Sequence, residues 1–416
     1  MTVLAARARR QQLVPFAALS ASYFAHIGFF NPYLSLWLKD LGLSLFTISL
    51  LTSLQALTRL FAPYAWGAIS DRTGERIQLL RFGATCALVL SLGLFWRGST
   101  LWLALVLLLM FTNTSAMMPM SEAAMAHLVS HGGAFDARQY GRVRLWGSVG
   151  FFLMVLLAGS WFEYFGMAHF PLWTVLTLLG VTVCVWRLPN LKEEVQAHAL
   201  HLPLGPVMRQ PVVRWFFASL FFHVLSHISV YTFFSLYLDS LGYSKTMIGF
   251  FWGVAVVAEV VWFYTQSRWL PLMSLQGWLL LAASLTVLRM GLTATSAAVL
   301  PVLMLAQLLH AITFAAHHTA CIALLSQHFP GRLRGRGQAL YTVVGYGMPG
   351  ILGGLAGGLL SEKIWAGQRL HGLRGHQPGG HGLGFQGLEV SALTLRRHGF
   401  MPVTSKQDSK MSALPA

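Results

Sequence analysis

The chain has 416 residues, of which 55% are hydrophobic and only 10% are charged. This composition, with a mean hydropathy of +0.60, is typical of a polytopic membrane protein and excludes an ordinary soluble domain. The net charge of +16 lies mainly in short loops between apolar segments, which indicates the positive-inside bias of a bilayer protein rather than binding of nucleic acid. The three cysteines all lie inside apolar segments, so no disulfide framework is predicted.

Eleven apolar segments are long enough to cross a bilayer, for which about 20 residues suffice. A polar, proline-containing stretch separates the first six from the last five. The basic residues of the short loops place the N-terminus and this stretch on the cytoplasmic side of a bacterial-type inner membrane. Spans 1 to 11 are predicted at 14–38, 46–69, 77–96, 101–128, 143–163, 170–187, 213–238, 247–266, 275–294, 298–327 and 338–360.

The two halves contain a repeat. YLSLWLKDLGLSLFTISLL at 33–51 aligns without gaps to FFSLYLDSLGYSKTMIGFF at 233–251, and each joins the first two spans of its half. A parallel repeat of six spans is typical of the two halves of a major facilitator transporter, whose site lies between them at mid-membrane. The positions that are identical at an offset of 200 are Ser35/Ser235, Leu36/Leu236, Leu38/Leu238, Leu41/Leu241, Gly42/Gly242, Ser44/Ser244 and Ile48/Ile248.

We therefore predict an all-α integral membrane protein with the major facilitator fold, built from two pseudo-symmetric bundles. The first bundle covers 1–187 and the second 213–364, with a cytoplasmic linker at 188–212. From 365 to 416 the chain is rich in Gly, His and Arg, and no window could cross a bilayer, so the twelfth span is missing or altered. Two hypotheses stand for this tail: a shifted reading frame near Trp365, or a natural disordered segment.

The loop after span 2 reads GAISDRTGERIQ. Its acidic and basic residues can pair with helix ends, and its glycines allow close packing and a turn. The loop resembles the signature of the major facilitator superfamily, G-x-x-x-D-R-x-G-[RK]-[RK], although Glu75 replaces one basic residue. The resemblance implies a conformational latch rather than a solute site, formed by Gly67, Asp71, Arg72, Gly74 and Arg76.

Two charged side chains interrupt spans 4 and 5. A charge inside hydrocarbon costs several kcal/mol unless it is paired or faces a wet cavity. Glu122 lies in span 4 and Arg144 opens span 5, so the two sit on neighbouring helices of one hairpin. We predict that they pair beside a polar site.

Further ionisable groups lie in the second half. Glu259 is in span 8 at the repeat position of Arg59, and Arg289 is in span 9. His310 and His317 in span 10 are seven apart, so a regular helix would place them on one face. Histidines titrate near neutral pH, and a carboxyl group inside hydrocarbon can exchange a proton as its access to water changes. For three others we favour structural pairing or snorkelling: Arg59, His223 and His318.

The motif P-x-x-E-A at 119–123, followed by YGRVRLWGSVGF at 140–151, resembles helices four and five of the lactose permease family. The resemblance implies that the solute contacts Glu122 and Arg144, and that Phe151 stands where the family has a sugar-stacking Trp. It also implies that Glu259 couples the proton to transport. Arg289 and His310 would match the Arg of helix nine and the His of helix ten in that family. Thr313 stands where that family has a proton-carrying Glu. Glu259 and the histidines are therefore the stronger candidates for carrying the proton.

A closer resemblance is to the 3-phenylpropionate transporter branch. It rests on NPYLSLWLKDLGLS, WGAISDRTGER, YGRVRLWGSVGF, QLLHAITFAAHH and FPGRLRGRGQALY, and it covers about residues 14–360. The loop motif is shared by the whole superfamily, whereas the strings of spans 5 and 10 are specific for this branch.

Together these features predict a monomeric proton-coupled symporter of a small organic solute, with no cofactor. Arg144 suits an anion, and Phe151 and Trp146 are expected to supply an aromatic wall, so an aromatic carboxylate such as 3-phenylpropionate is the first choice. A sugar or nucleoside is the alternative, and drug efflux the third.

The rival class is a membrane enzyme with a histidine-ligated metal. Such an enzyme needs several histidine clusters near one membrane face, but His310, His317 and His318 form one cluster within a single span. No metal site is therefore predicted. The chain also has no G-x-x-x-x-G-K-[ST] phosphate loop, which argues against ATP-driven transport within this chain.

Overall fold

The computed structural model describes residues 3–96, 98–131, 134–135, 137–190, 205–329 and 333–374. Within these residues eleven helical stretches are long and apolar enough to cross a membrane, and they confirm the eleven predicted spans. The linker residues 191–204 and the tail residues 375–416 lie outside the described residues, so the predictions made for them stay predictions.

The first six spans are helices with short irregular turns. Span 4 consists of two helices, and two-residue antiparallel strands, Ser130–His131 and Ala134–Phe135, precede span 5. Short 3₁₀ turns lie at Leu92–Phe95 and Met167–His169. The helices are Val3–Asp40, Leu45–Thr73, Arg76–Ser91, Thr100–Thr114 with Met117–Val129, Ala137–Phe165 and Phe170–Trp186.

The last five spans differ in their regularity. A short helix, Gly205–Met208, precedes span 7, and a 3₁₀ turn at Leu270–Leu272 follows span 8. Spans 10 and 11 are each interrupted by a π-helical turn, at Ala311–Ala316 and Val343–Gly347. The helices are Pro211–Ser240, Lys245–Trp269, Leu275–Ser296, Leu300–Leu308 with His317–His328, and Arg334–Thr342 with Met348–Arg374.

The repeated sequence forms the same turn in both halves. Gly42 and Gly242 adopt φ values of 81° and 84°, a left-handed conformation that glycine takes without a Cβ penalty. The hydroxyls of Ser44 and Ser244 then cap the next helix by accepting a backbone N–H at 3.2 Å. The matched Gly and Ser positions therefore encode one turn used twice. The end of the bundles that carries these two turns is called the turn end below.

Spans 1 and 5 touch at their backbones. An added Cβ at Gly28 would lie 2.6 Å from the carbonyl oxygen of Phe151, and one at Gly150 would overlap the carbonyl oxygen of Ala21. Small residues permit such an approach between membrane helices. This contact brings the side chains of span 1 against the part of span 5 that carries Arg144.

The two bundles are joined at the turn end. Lys39 Nζ donates to Asp239 Oδ2 over 2.9 Å, and these two residues are repeat equivalents at an offset of 200. A residue that contacts its own repeat equivalent lies close to the pseudo-two-fold axis that relates the halves. Nearby, the backbone N–H of Lys245 donates to Glu163 Oε2 over 2.6 Å, and the Tyr33 hydroxyl donates to the carbonyl of Lys245 over 3.3 Å.

Span 11 packs against span 2 through its glycines. At several glycines of span 11, an added Cβ would collide with span 2. In addition, the Ser49 hydroxyl of span 2 donates to the carbonyl of Gly354. Small residues four positions apart let membrane helices approach closely in this way. The pairs are Gly347 with Leu60, Gly350 with Ala56, Gly354 with Ser53 and Gly358 with Ser49.

By internal contacts the chain divides into Met1–Ile364 and Trp365–Ala416. The first unit contains both bundles. The helix Met348–Arg374 begins in the first unit and ends in the second. It therefore continues past residue 365, where the sequence predicted the tail to begin.

Candidate functional site

The predicted pair in the first bundle is present. Arg144 Nε lies 3.6 Å from Glu122 Oε1, and the two side chains are 35% and 34% exposed. This exposure keeps both charges near water, so the pair avoids the full penalty of a charge in hydrocarbon. Two opposite charges that are only partly buried remain able to bind a further polar group.

Phe24 of span 1 covers one face of the Arg144 guanidinium. The guanidinium carbon lies 4.0 Å from the centre of the phenyl ring, which is a cation–π contact. Gly147 makes room for this arrangement, because a Cβ there would lie 2.6 Å from Phe24 Cδ2 and 2.9 Å from Arg144 Nη1. Sequence reasoning missed Phe24, since only the packing of span 1 on span 5 reveals its position.

The two predicted aromatic residues of span 5 have different positions. Phe151 is partly buried against span 1, where its ring lies 3.0 Å from the place of a Cβ on Gly28. Trp146 is 54% exposed. Because it follows Arg144 by two residues, a helix turns its side chain about 200° away from that of Arg144. The structure therefore does not bring Trp146 to the pair, and Phe24 takes the place expected for it.

A second polar network lies in the other bundle, centred on Arg289, which is only 3% exposed. Its Nη1 donates to His310 Nδ1 over 3.1 Å and to Thr313 Oγ1 over 3.2 Å. Its Nη2 donates to Gln307 Oε1 over 3.5 Å. Span 10 thus supplies three neutral acceptors to the two terminal nitrogens, while Arg289 Nε has no hydrogen-bond partner among the described residues. Gln307 was not predicted, because an amide in an apolar segment gives no signal of its partner.

The tautomer of His310 follows from this geometry. A guanidinium can only donate, so His310 Nδ1 accepts and, in the neutral ring, the proton is on Nε2. His310 Nε2 lies 3.6 Å from Glu259 Oε2. The imidazole therefore stands between Arg289 and Glu259 with its N–H side toward the carboxyl group. The predicted set of Glu259, Arg289 and His310 is brought together in one network.

Charged groups of the two bundles interact with each other. Arg144 of span 5 lies close enough to Glu259 of span 8 for the two charges to interact. The Glu259 side chain is 22% exposed, and that of His310 is 9% exposed. Arg144 in the first half thus lies within electrostatic range of Glu259 in the second.

His317 does not join this network. Its ring stacks on His223 with 3.6 Å between centroids, and its nitrogens lie 3.7 Å from the sulfur of Cys321. The expectation that His310 and His317 share a face fails because the π-helical turn at Ala311–Ala316 lies between them. One extra residue in the turn rotates His317 by about 100° relative to a regular helix.

Two other histidines have the structural partners that were expected. The ring of His318 lies 2.9 Å from the Tyr341 hydroxyl, and His223 Nε2 donates to the carbonyl of Thr313 over 2.7 Å. Arg59, at the repeat position of Glu259, is partly buried.

The loop after span 2 is a defined turn. Gly74 has φ 68°, a left-handed conformation, and its N–H donates to the carbonyl of Ser70 over 2.8 Å. Arg76 Nε donates to the Ser70 hydroxyl over 3.0 Å, while Arg72 is exposed. Gly67 lies in the last turns of span 2. The side chain of Asp71 lies outside the described residues.

Within the residues that the structure describes, no group of three or more His, Cys, Asp or Glu side chains is arranged to hold a metal ion.

Eleven spans, a repeated pair of bundles and a polar site that faces both halves define a transporter of the major facilitator type, not an enzyme. Residues 18–369 match the sequence model of the "MFS_1 like family". The chain belongs to this family.

Curated relatives are similar over most of their length. The chain is 30% identical over 332 residues to the "Probable 3-phenylpropionic acid transporter" of Escherichia coli (strain K12), a match that covers 78% of this chain and 85% of the relative. It is 25% identical over 342 residues to the "Maltose permease" of Geobacillus stearothermophilus, covering 82% and 85%.

Solved structures share the fold at low identity. The nucleoside transporter NupG superposes with a TM-score of 0.73 at 15% identity, covering 85% of this chain and 91% of that one. A bacterial homologue of the human lysosomal transporter Spinster, in an inward-facing and occupied conformation, superposes with a TM-score of 0.68 at 15% identity, covering 88% and 85%.

Proposed function

We propose that this chain is a proton-coupled symporter whose solute is an aromatic carboxylate such as 3-phenylpropionate. The observation that carries the proposal is the one-third exposed Arg144, held between Glu122 and the ring of Phe24. The name of the Escherichia coli relative supports the solute class.

Arg144 is the proposed anchor for the solute carboxylate. Its Nε faces Glu122 and one face lies on Phe24, which holds the planar guanidinium in a single orientation. A held guanidinium can donate two parallel hydrogen bonds to a carboxylate, a geometry that an ammonium group cannot reproduce. Phe24 and Phe151 supply apolar surface for the ring of the solute.

Glu259 is the proposed carrier of the coupled proton, with His310 and Arg289 as its partners and His317 next in line. The neutral His310 presents its N–H side to the carboxyl group. In a symporter the group that carries the proton must respond to the solute. The electrostatic interaction between Arg144 and Glu259 supplies such a link, because a carboxylate on Arg144 changes the charge that Glu259 experiences.

We propose that the turn end faces the outside of a bacterial inner membrane and that the N-terminus and linker are cytoplasmic. The hydrogen bonds across the turn end would then close the outer side, as in an inward-facing state. Single cysteines placed in the linker should react with an impermeant reagent only in inverted vesicles. Labelling from outside intact cells would reverse the orientation.

A sugar or nucleoside is the second candidate solute. Glu122 beside Arg144 favours it, because a carboxylate and a guanidinium together supply both acceptors and donors for hydroxyl groups. Drug efflux has less support, since the charged pair suits a small polar or anionic solute.

Uptake by purified carrier in proteoliposomes tests the proposal. Phenylpropionates, sugars and nucleosides are compared with and without an imposed proton gradient, and protein-free liposomes give the background. The expected result is gradient-driven accumulation of a phenylpropionate. Accumulation of a neutral sugar or nucleoside alone would transfer the proposal to the second candidate, and uptake that ignores the proton gradient would remove the coupling. Light scattering of the detergent-purified carrier should show a monomer.

A further inference from the structure

A small cavity lies in the second bundle, beside the network of Arg289. It has a volume of about 10 Å³ and is bordered by His223, His227, Tyr231, Thr313, His317 and Tyr346. A space of this size accommodates one water-sized group, provided that polar partners line it. Spans 7, 10 and 11 all contribute side chains to it.

His227 borders this cavity and carries an unpartnered acceptor. Its Nδ1 lies 2.9 Å from the carbonyl of His223 and 3.4 Å from the Ser226 hydroxyl. A carbonyl can only accept, so Nδ1 carries the proton and Nε2 of the neutral ring has a free lone pair. His227 is only 2% exposed, and its Nε2 has no hydrogen-bond partner among the described residues. Because Nδ1 faces its own helix, Nε2 lies on the outer edge of the ring.

The π-helical turn of span 10 helps to build this site. The N–H of His317 contacts the carbonyls of Ile312 and Phe314, so it does not take the carbonyl of Thr313 as a regular helix would. The Thr313 carbonyl instead accepts from His223 Nε2, while the Thr313 hydroxyl accepts from Arg289. One residue therefore connects the histidines around the cavity to the buried guanidinium.

The charges around the cavity determine which ligand fits. His227 lies within electrostatic range of Arg289 and also of His223 and His310. A cation would add a second positive charge beside a buried guanidinium, which is unfavourable where little water screens it. A neutral group with an O–H is the ligand that supplies the missing hydrogen bond without adding charge. Tyr231 and Tyr346 also border the cavity, and a tyrosine hydroxyl can both donate and accept a hydrogen bond.

We propose that Nε2 of His227 is the acceptor in a binding site for a single O–H group. The group is a water molecule or a hydroxyl carried by the solute. This site is separate from the Glu122–Arg144 pair, and the water form does not depend on the proposed solute or on proton coupling. The solute form rests on the proposed function, because it extends the aromatic carboxylate class to ring-hydroxylated members.

The first arm of the test is nuclear magnetic resonance of the full chain in nanodiscs with ¹⁵N-labelled histidine. His227→Phe assigns the signal, and His169→Phe, at the turn between spans 5 and 6, is the matched control that should leave it unchanged. The expected result is an unprotonated Nε2 in a neutral ring that receives magnetisation from water protons in the absence of solute. A protonated Nε2, or an Nε2 without contact to water or solute hydroxyl, overturns the proposal.

The second arm separates the two sources of the hydroxyl. Equilibrium binding of 3-phenylpropionate is compared with that of a ring-hydroxylated analogue. If the solute hydroxyl occupies the site, the analogue binds about tenfold more tightly, and His227→Phe removes the difference. If water occupies it, both compounds bind alike and the water contact at Nε2 persists with either bound. Should neither compound bind, the proposed function fails, while the water contact in the first arm still supports or overturns the site.

Discussion

The two polar clusters of this carrier differ in exposure and in the kind of partners that hold their arginines. The Glu122–Arg144 pair is about one-third exposed and is held by one aromatic face, whereas Arg289 is 3% exposed and donates to three acceptors. A partly exposed charge can exchange its water for a solute at low cost. A buried charge that donates to several acceptors is held in place by them, because leaving them would create an unpaired buried charge. The difference supports the proposal that the first bundle binds the solute and that the second exchanges the proton.

The largest expected effect follows from removing the titratable group of the second bundle. In Glu259→Gln the amide resembles the protonated acid but cannot release a proton, so the carrier should still exchange solute while its proton-driven accumulation disappears. Counterflow and gradient-driven uptake in proteoliposomes measure the two activities. Asp40→Asn, at the exposed end of span 1, is the matched control and should retain both. If Glu259→Gln still concentrates solute, the proton travels elsewhere, and His310 and His317 are the next residues to test.

The next effect follows from removing the planar fork of the first bundle. Arg144→Lys keeps the charge but loses the parallel hydrogen bonds, and since bonds to charged groups contribute about 1.5–3 kcal/mol, solute affinity should fall roughly 10- to 100-fold. Arg142→Lys, two residues earlier and exposed, is the control. Calorimetric binding to purified protein gives both affinities. Unchanged affinity in Arg144→Lys would exclude this side chain from the solute site.

A smaller effect tests whether Phe24 positions Arg144. A cation–π contact contributes about 0.5–2 kcal/mol, so Phe24→Leu should weaken solute binding by roughly 2- to 30-fold. Phe24→Tyr keeps the ring face and should preserve the affinity. Thermal unfolding of both variants controls for a loss of packing between spans 1 and 5. Equal binding by the Leu and Tyr variants would show that the ring face does not hold the guanidinium.

The smallest effect concerns the turn end. Lys39 and Asp239 are 46% and 26% exposed, and such a surface pair contributes about 0–1 kcal/mol. Reversing one charge in Lys39→Asp should therefore shift the balance between conformations by up to about fivefold toward an open turn end, and adding Asp239→Lys should restore it. Distances between spin labels on spans 1 and 7 report the populations. A double variant that stays as open as the single one would mean that this pair does not hold the bundles together.

The amino-acid sequence by itself determined the membrane class, the eleven spans and the repeat of the two halves. These features follow from local rules: the length of an apolar run, glycine at a left-handed turn, and serine at a helix start. The charges that interrupt spans 4 and 5 also predicted the Glu122–Arg144 pair, because both residues lie on one hairpin.

Only the tertiary structure decided which aromatic ring meets Arg144 and which histidines belong together. Phe24 reaches Arg144 because Gly147 and Gly150 let two distant helices touch, a contact that no local pattern encodes. His317 leaves the face of His310 because a π-helical turn rotates it, and the partner of the released Thr313 carbonyl, His223, comes from another span. The local pattern of apolar residues determines which segments form spans. The register of one helix against another depends instead on the packing of the whole bundle.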